Sequence, residues 1–178
     1  DVLRQCPLNY RAHNNYGLVL RGEGKATEAE AHFRKALDIN PVYWQAIYNL
    51  GLVLEDRGKT EQAIAKYLET LTRNAGYAPA QQRLANTHNT LGLALRNQGK
   101  FPESEAQFRQ SLSFDSNFWP ARYNLGLVLV NQQQYQAAIV AFHETLNLNP
   151  NYSAVREQIA NAEFQLAVSL SATEKDDA

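Results

Sequence analysis

Apolar residues recur along the chain at i, i+3 and i+4. Leu50, Val53 and Leu54 form one such stripe, and Ala63, Ile64, Tyr67, Leu68 and Leu71 form the next. This 3.6-residue period predicts short amphipathic helices that each bury one face. Between paired stripes stand Gly24-Lys25, Gly58-Lys59 and Gly99-Lys100. Glycine there can take the left-handed conformation that stops a helix. The fourth such turn holds Gln133-Gln134 instead, which predicts mild backbone strain. Pro41 and Pro150 are expected to open the helices that follow them, where a missing N–H costs nothing.

The stripes repeat. Gly17, Gly51, Gly92 and Gly126 are spaced by 34, 41 and 34 residues, within the LGLVL-like runs that include two copies of YNLGLVL. Around each glycine the same columns return. Leu20, Leu54, Leu95 and Leu129 lie three residues after it, and Ala29, Ala63, Ser104 and Ala138 twelve after it. Phe33, Tyr67, Phe108 and Phe142 follow at sixteen, and Ala36, Thr70, Ser111 and Thr145 at nineteen. Four helical hairpins fit these columns, with small residues letting paired helices approach and aromatics filling the space beside them. The extra seven residues of the middle spacing predict a first helix in the third copy about one turn longer, with a loop around Gly76 taking up the rest.

This pattern resembles the tetratricopeptide repeat, whose signature runs Leu-Gly, then Tyr or Leu, Ala, Phe, Ala and Pro over 34 residues. The first copy matches best, with Gly17, Ala29, Phe33, Ala36 and Pro41; Ala75 and Ser116 depart from the closing proline. The resemblance implies an all-α fold, a right-handed superhelical solenoid of antiparallel helix hairpins. Repeats are expected at 10–43, 44–77, 85–118 and 119–152, with 78–84 as an insertion extending the next helix. Residues 1–9 read as the tail of a preceding repeat or an N-terminal cap, since Leu3 and Pro7 lie 34 before Leu37 and Pro41. Val155, Ile159, Ala162, Leu166 and Leu170 predict a capping helix over 153–172, and the charged 173–178 a disordered tail.

Composition narrows the function. Seventeen basic against eighteen acidic residues leave a net charge of -1, which removes the electrostatic footprint of a nucleic-acid partner. No apolar run approaches the ~20 residues of a spanning helix, so membrane insertion is not expected. The single Cys6 allows no intrachain disulfide and slightly favours a reducing, cytoplasmic setting. His13, His32, His88 and His143 are never closer than 19 residues, and His13 and His88 share a column that reads as packing. No phosphate loop, HExxH or other catalytic constellation is present, so no cofactor, metal or enzymatic activity is expected.

What remains is a surface. In the family the sequence resembles, the first helices line a concave groove. With Leu50 and Leu54 turned inward, the opposite arc of those helices carries Asn14, Tyr48, Asn89 and Tyr123 in one column and Asn15, Asn49, Thr90 and Asn124 in the next. Leu18, Leu52, Leu93 and Leu127 add apolar contact. These residues are the candidate binding site for an extended peptide or helix of a partner protein, with amides gripping its backbone; similar asparagine ladders occur in the repeat region of the protein N-acetylglucosamine transferase. The alternative is that the amides bridge adjacent helices. The carboxylate clamp used by chaperone-binding relatives is missing, because its Lys and Asn columns hold Asn14 and Leu18, then Tyr48 and Leu52. Self-association through an open terminal repeat face, and service as an accessory domain of an enzyme, are the other readings.

Overall fold

The computed structural model describes residues 9–176, and all of the regular structure within them is α-helical. Residues 1–8 of the expected N-terminal tail or cap at 1–9, Cys6 among them, lie outside the described residues. The helices are α1 (Tyr10–Gly22), α2 (Ala26–Ile39), α3 (Trp44–Asp56), α4 (Thr60–Arg73), α5 (Ala78–Asn97), α6 (Phe101–Phe114), α7 (Trp119–Asn131), α8 (Tyr135–Leu148) and α9 (Ala154–Asp176). α9 therefore continues past the point where a disordered tail is expected.

The turn inside each hairpin is a Schellman motif. Gly24 has φ 76°; its N–H bonds to the Arg21 carbonyl, and that of Lys25 to Leu20 at 2.9 Å. Gly58 and Gly99 repeat it with φ 70° and 74°. Gln133 takes the same left-handed conformation at φ 61° without the freedom of glycine, as its sequence position predicts. Between repeats the chain turns differently. Asn40, at the end of α2, accepts from the Val42 N–H, and Asp115 from Asn117 at 3.0 Å. Pro41 sits in that turn, three residues before α3 starts, and Pro150 likewise precedes α9. The prolines thus shape inter-repeat turns instead of opening helices; Pro102 and Pro120 take the opening positions.

The seven extra residues enter α5 whole. It has 20 residues against 13 in α1, α3 and α7, two additional turns instead of one, and no loop absorbs a remainder. The chain divides within this helix into two compact units, residues 1–84 and 85–178. The units repeat each other at an offset of 75 residues, far beyond the core pattern. His13, Asn14, Arg21, Trp44, Tyr48, Asn49 and Tyr77 return as His88, Asn89, Arg96, Trp119, Tyr123, Asn124 and Tyr152.

In the first unit α1 packs on α2, α2 on α3, α3 on α4, and α1 also touches α3. In the second, α6 packs on α7, α7 on α8, and α9 covers α8 and α7 through Val155, Ile159 and Ala162. Each hairpin closes on an aromatic ring laid against a glycine backbone. A Cβ at Gly17 would stand 2.7 Å from the Phe33 ring, at Gly51 2.7 Å from Tyr67, and at Gly92 2.6 Å from Phe108. The rings and their small neighbours Ala29, Ala63, Ser104 and Ala138 are fully buried. Where a hydroxyl replaces alanine in these columns it finds a carbonyl: Ser104 donates to Gly92 at 2.7 Å and Ser111 to Ala85 at 2.6 Å.

Candidate functional site

Asn14 and Asn49, on α1 and α3, face each other. The Asn49 amide donates to the Asn14 Oδ1 at 2.8 Å, and the residues are only 4% and 8% exposed. The second unit repeats the pair in a wetter setting, with Asn124 donating to Asn89 at 3.0 Å between α7 and α5 and both half-buried. The expectation that Asn49 lies open on the groove is therefore corrected. Asn49 is spent on Asn14, whose own amide donates to the neighbouring Asn15 at 3.4 Å, because a first helix inside a stack has a first helix beside it as well as its own hairpin partner. Asn15 and Thr90, in the Asn49 column, are exposed.

The apolar members divide in the same way. Leu18 is 42% exposed, whereas Leu52, its equivalent on α3, is buried. Leu93 and Leu127 are half-buried and lean on the core of the second unit. Tyr48 and Tyr123 belong to aromatic clusters that the sequence reading did not assemble. Tyr48 meets Tyr77 edge to face at 5.0 Å, and Trp44 lies tilted against Tyr77 at 4.7 Å. Tyr123 and Trp119 meet Tyr152 at 5.0 Å each. Burial, followed by the neighbouring phenol, pushes Tyr77 and Tyr123 above the usual tyrosine range.

Charge is distributed unequally. On the first unit the Arg21 guanidinium grips the Asp56 carboxylate at 2.6 and 3.2 Å. Burial, and then the bond from its hydroxyl to Glu55, drives the Tyr67 phenol far above its ordinary range. Arg83 joins Glu55 at 3.5 Å. Glu30, nearly buried on α2, is ringed by Arg34, Arg57 and Lys59. Burial works to raise its carboxyl, but the three cations outweigh it and hold it below the ordinary value.

Sequence separation also hid a histidine pair. His13 and His32 lie 19 residues apart in the chain, yet their Nδ1 atoms are 3.0 Å apart across the first hairpin. The equivalent contact in the second unit joins His88 to Gln107 at 2.8 Å. The signal was present in the i, i+19 spacing, which recurs between His88 and Gln107 in the second unit. Both histidines thus sit in hairpin interfaces, as their shared column implies. Among the described residues no group of three His, Cys, Asp or Glu side chains converges as a metal site would require, and no helix is long and apolar enough to cross a membrane.

Stacked helical hairpins with a side-chain-lined first-helix face define a helical repeat scaffold of the protein-binding class. The chain belongs to the tetratricopeptide repeat family: family models of that description match residues 10–41, 45–117 and 119–152. No curated protein matches the sequence. Among solved structures it is similar to MamA, at 19% identity over 93% of this chain and 86% of that one, with a TM-score of 0.57. It is also similar to YrrB, a TPR protein with an unusual peptide-binding site, at 16% identity over 90% and 79% of the two chains and a TM-score of 0.55. A TPR repeats protein from Bacteroides fragilis gives a TM-score of 0.68 at 16% identity, over 87% and 82%. At these identities the likeness is one of fold.

Proposed function

We propose that the chain is a non-enzymatic interaction module whose first-helix faces hold an extended segment or a helix of a partner protein. The observation that carries this reading is the survival of the same face in both units. Trp44, Tyr48, Asn49 and Tyr77 recur unchanged as Trp119, Tyr123, Asn124 and Tyr152, beside LGLVL runs whose outer leucines vary from exposed Leu18 to half-buried Leu93 and Leu127. Core packing demands the glycine and the buried aromatic of each hairpin. The Trp and Tyr rings pack on one another, and Tyr48 and Tyr123 on the buried aromatics, yet each keeps part of its surface exposed. An apolar, hydrogen-bonding strip of this kind suits a peptide held at about micromolar affinity, and the peptide-binding site of YrrB shows that the fold can carry such a site.

Panning the whole chain against a random decamer library tests the proposal. The wild-type chain should enrich related sequences, and a Leu18→Ser, Thr90→Ala, Leu93→Ser variant should lose them while its circular dichroism is unchanged. Equal enrichment by both chains would move the site off the first helices.

A further inference from the structure

The most informative contrast in the molecule lies between its two units. Arg21 and Arg96 occupy the same place, in the last turn of the first helix of each. In the first unit Arg21 is closed off by a bidentate bond to Asp56, and the adjacent Glu55 is held by Tyr67 and Arg83. In the second unit the residues corresponding to Glu55, Asp56 and Tyr67 are Val130, Asn131 and Phe142. Both carboxylates are gone. The Asn131 amide turns away to the Leu127 carbonyl at 2.8 Å.

Arg96 is left with one weak neutral partner, the Asn124 Oδ1 at 3.5 Å. Among the described residues no carboxylate lies within 4.0 Å of its guanidinium. Glu157 on α9 acts on Tyr123 in opposition to Arg96 without pairing with the arginine. A half-buried guanidinium has partly given up water and presents a planar fork of five donors matched to a carboxylate. It stands beside the Asn89–Asn124 amide pair and Tyr123, one turn beyond Leu93 and on the face proposed to hold a partner.

We propose that Arg96 is the point at which the second unit recognises an Asp or Glu side chain of the bound segment, and that Asp56 withholds the same site in the first unit. The inference rests on the groove reading above and adds the chemistry of the ligand. The Arg96 site is a single arginine–carboxylate contact at the end of the third repeat's first helix.

Panning the full chain on the random decamer library, in parallel with three variants, tests it. The wild type should enrich peptides carrying Asp or Glu at one fixed position. Arg96→Gln should lose that preference, and so should Asn131→Asp, which installs at the second unit the internal partner that Arg21 already has. Asp56→Asn should strengthen the acidic preference by freeing Arg21. By calorimetry, an enriched peptide should bind the wild type about tenfold more tightly than its Asp→Asn analogue. The Arg96→Gln chain should bind the two within about twofold, and added salt should narrow the wild-type difference. Enriched peptides without an acidic position would overturn the arginine site while leaving the groove intact. Acidic preference that survives in Arg96→Gln would overturn it too. If the wild type enriches nothing, the groove reading fails and this inference fails with it.

Discussion

Gln133→Gly should make the protein more stable, which is unusual for a substitution that deletes a side chain. Gln133 holds φ 61° in a turn whose three counterparts are glycines at 70° to 76°. A left-handed residue with a Cβ costs about 1–2 kcal/mol, and glycine returns roughly 0.4–1 kcal/mol of this through the greater entropy of its unfolded chain. The net expectation is a gain of about 0.5–1 kcal/mol. The position isolates the effect, because Gln133 is exposed and the neighbouring side-chain bond joins Gln134 to Gln132 at 2.8 Å. Gly58→Gln is the reverse control, since a Cβ there meets nothing within 4 Å and only the backbone penalty remains.

Repeat arrays need not unfold in one step. The assay is therefore urea titration combined with amide exchange on α7 and α8, the helices that the turn joins. Gln133→Gly should slow exchange there and raise the midpoint with an unchanged m-value, and Gly58→Gln should do the opposite on α3 and α4. A neutral or destabilising Gln133→Gly would refute the argument from strain.

Gly51→Ala should lower stability by about 1–2 kcal/mol, because overpacking against the Tyr67 ring at 2.7 Å outweighs the roughly 1 kcal/mol helix-propensity gain of alanine; thermal melts beside the exposed control Gly22→Ala check it. Acid should also weaken the first hairpin. Burial, then the charges of His13 and Lys35, hold the His32 pKa below the ordinary 6.5 against the opposing pull of Glu28. Near that pH the unfolded chain binds the proton more readily, so the stability present above 6.5 is lost as pH falls through 6.5 toward the depressed value. Urea midpoints from about pH 7.5 to about 5.5 should fall more steeply for the wild type than for His32→Gln, and parallel curves would refute the assignment.

The hairpins were legible because everything that makes them is local or periodic. The glycine, the aromatic sixteen residues on and the turn glycine can all be read on one pair of helices. Asn49 was misplaced because a helical wheel treats α3 as having one buried side, whereas α3 touches α1, α2 and α4 and buries Leu52 and Asn49 as well as Leu50. On α1 the position equivalent to Leu52, Leu18, is 42% exposed, while Asn14 is buried against Asn49. The Arg21–Asp56 pair was invisible for a related reason. It spans 35 residues, one full repeat plus one, and becomes meaningful only when the two units are compared.

The buried amides decide how the groove itself must be probed. Asn49→Ala alone would strand the Asn14 Oδ1 at a site 4% exposed, at a cost of about 1–3 kcal/mol. Asn124→Ala should cost less than about 1 kcal/mol, since water can reach its half-buried partner Asn89. Loss of a ligand on truncating both residues would then report a loosened α1–α3 contact as readily as a lost hydrogen bond to peptide. Removing the pair together separates the two effects, because apolar replacement of both partners leaves no orphaned acceptor. Asn49→Leu should be clearly less stable than wild type, and adding Asn14→Leu should restore more than half of the difference in urea midpoint. Single-variant costs that merely add would refute the pairing. In the restored double variant, retained peptide binding would make the amides struts between helices, with recognition left to Leu18, Tyr48 and Arg96. Lost binding with stability restored would show that the pair opens to meet its ligand.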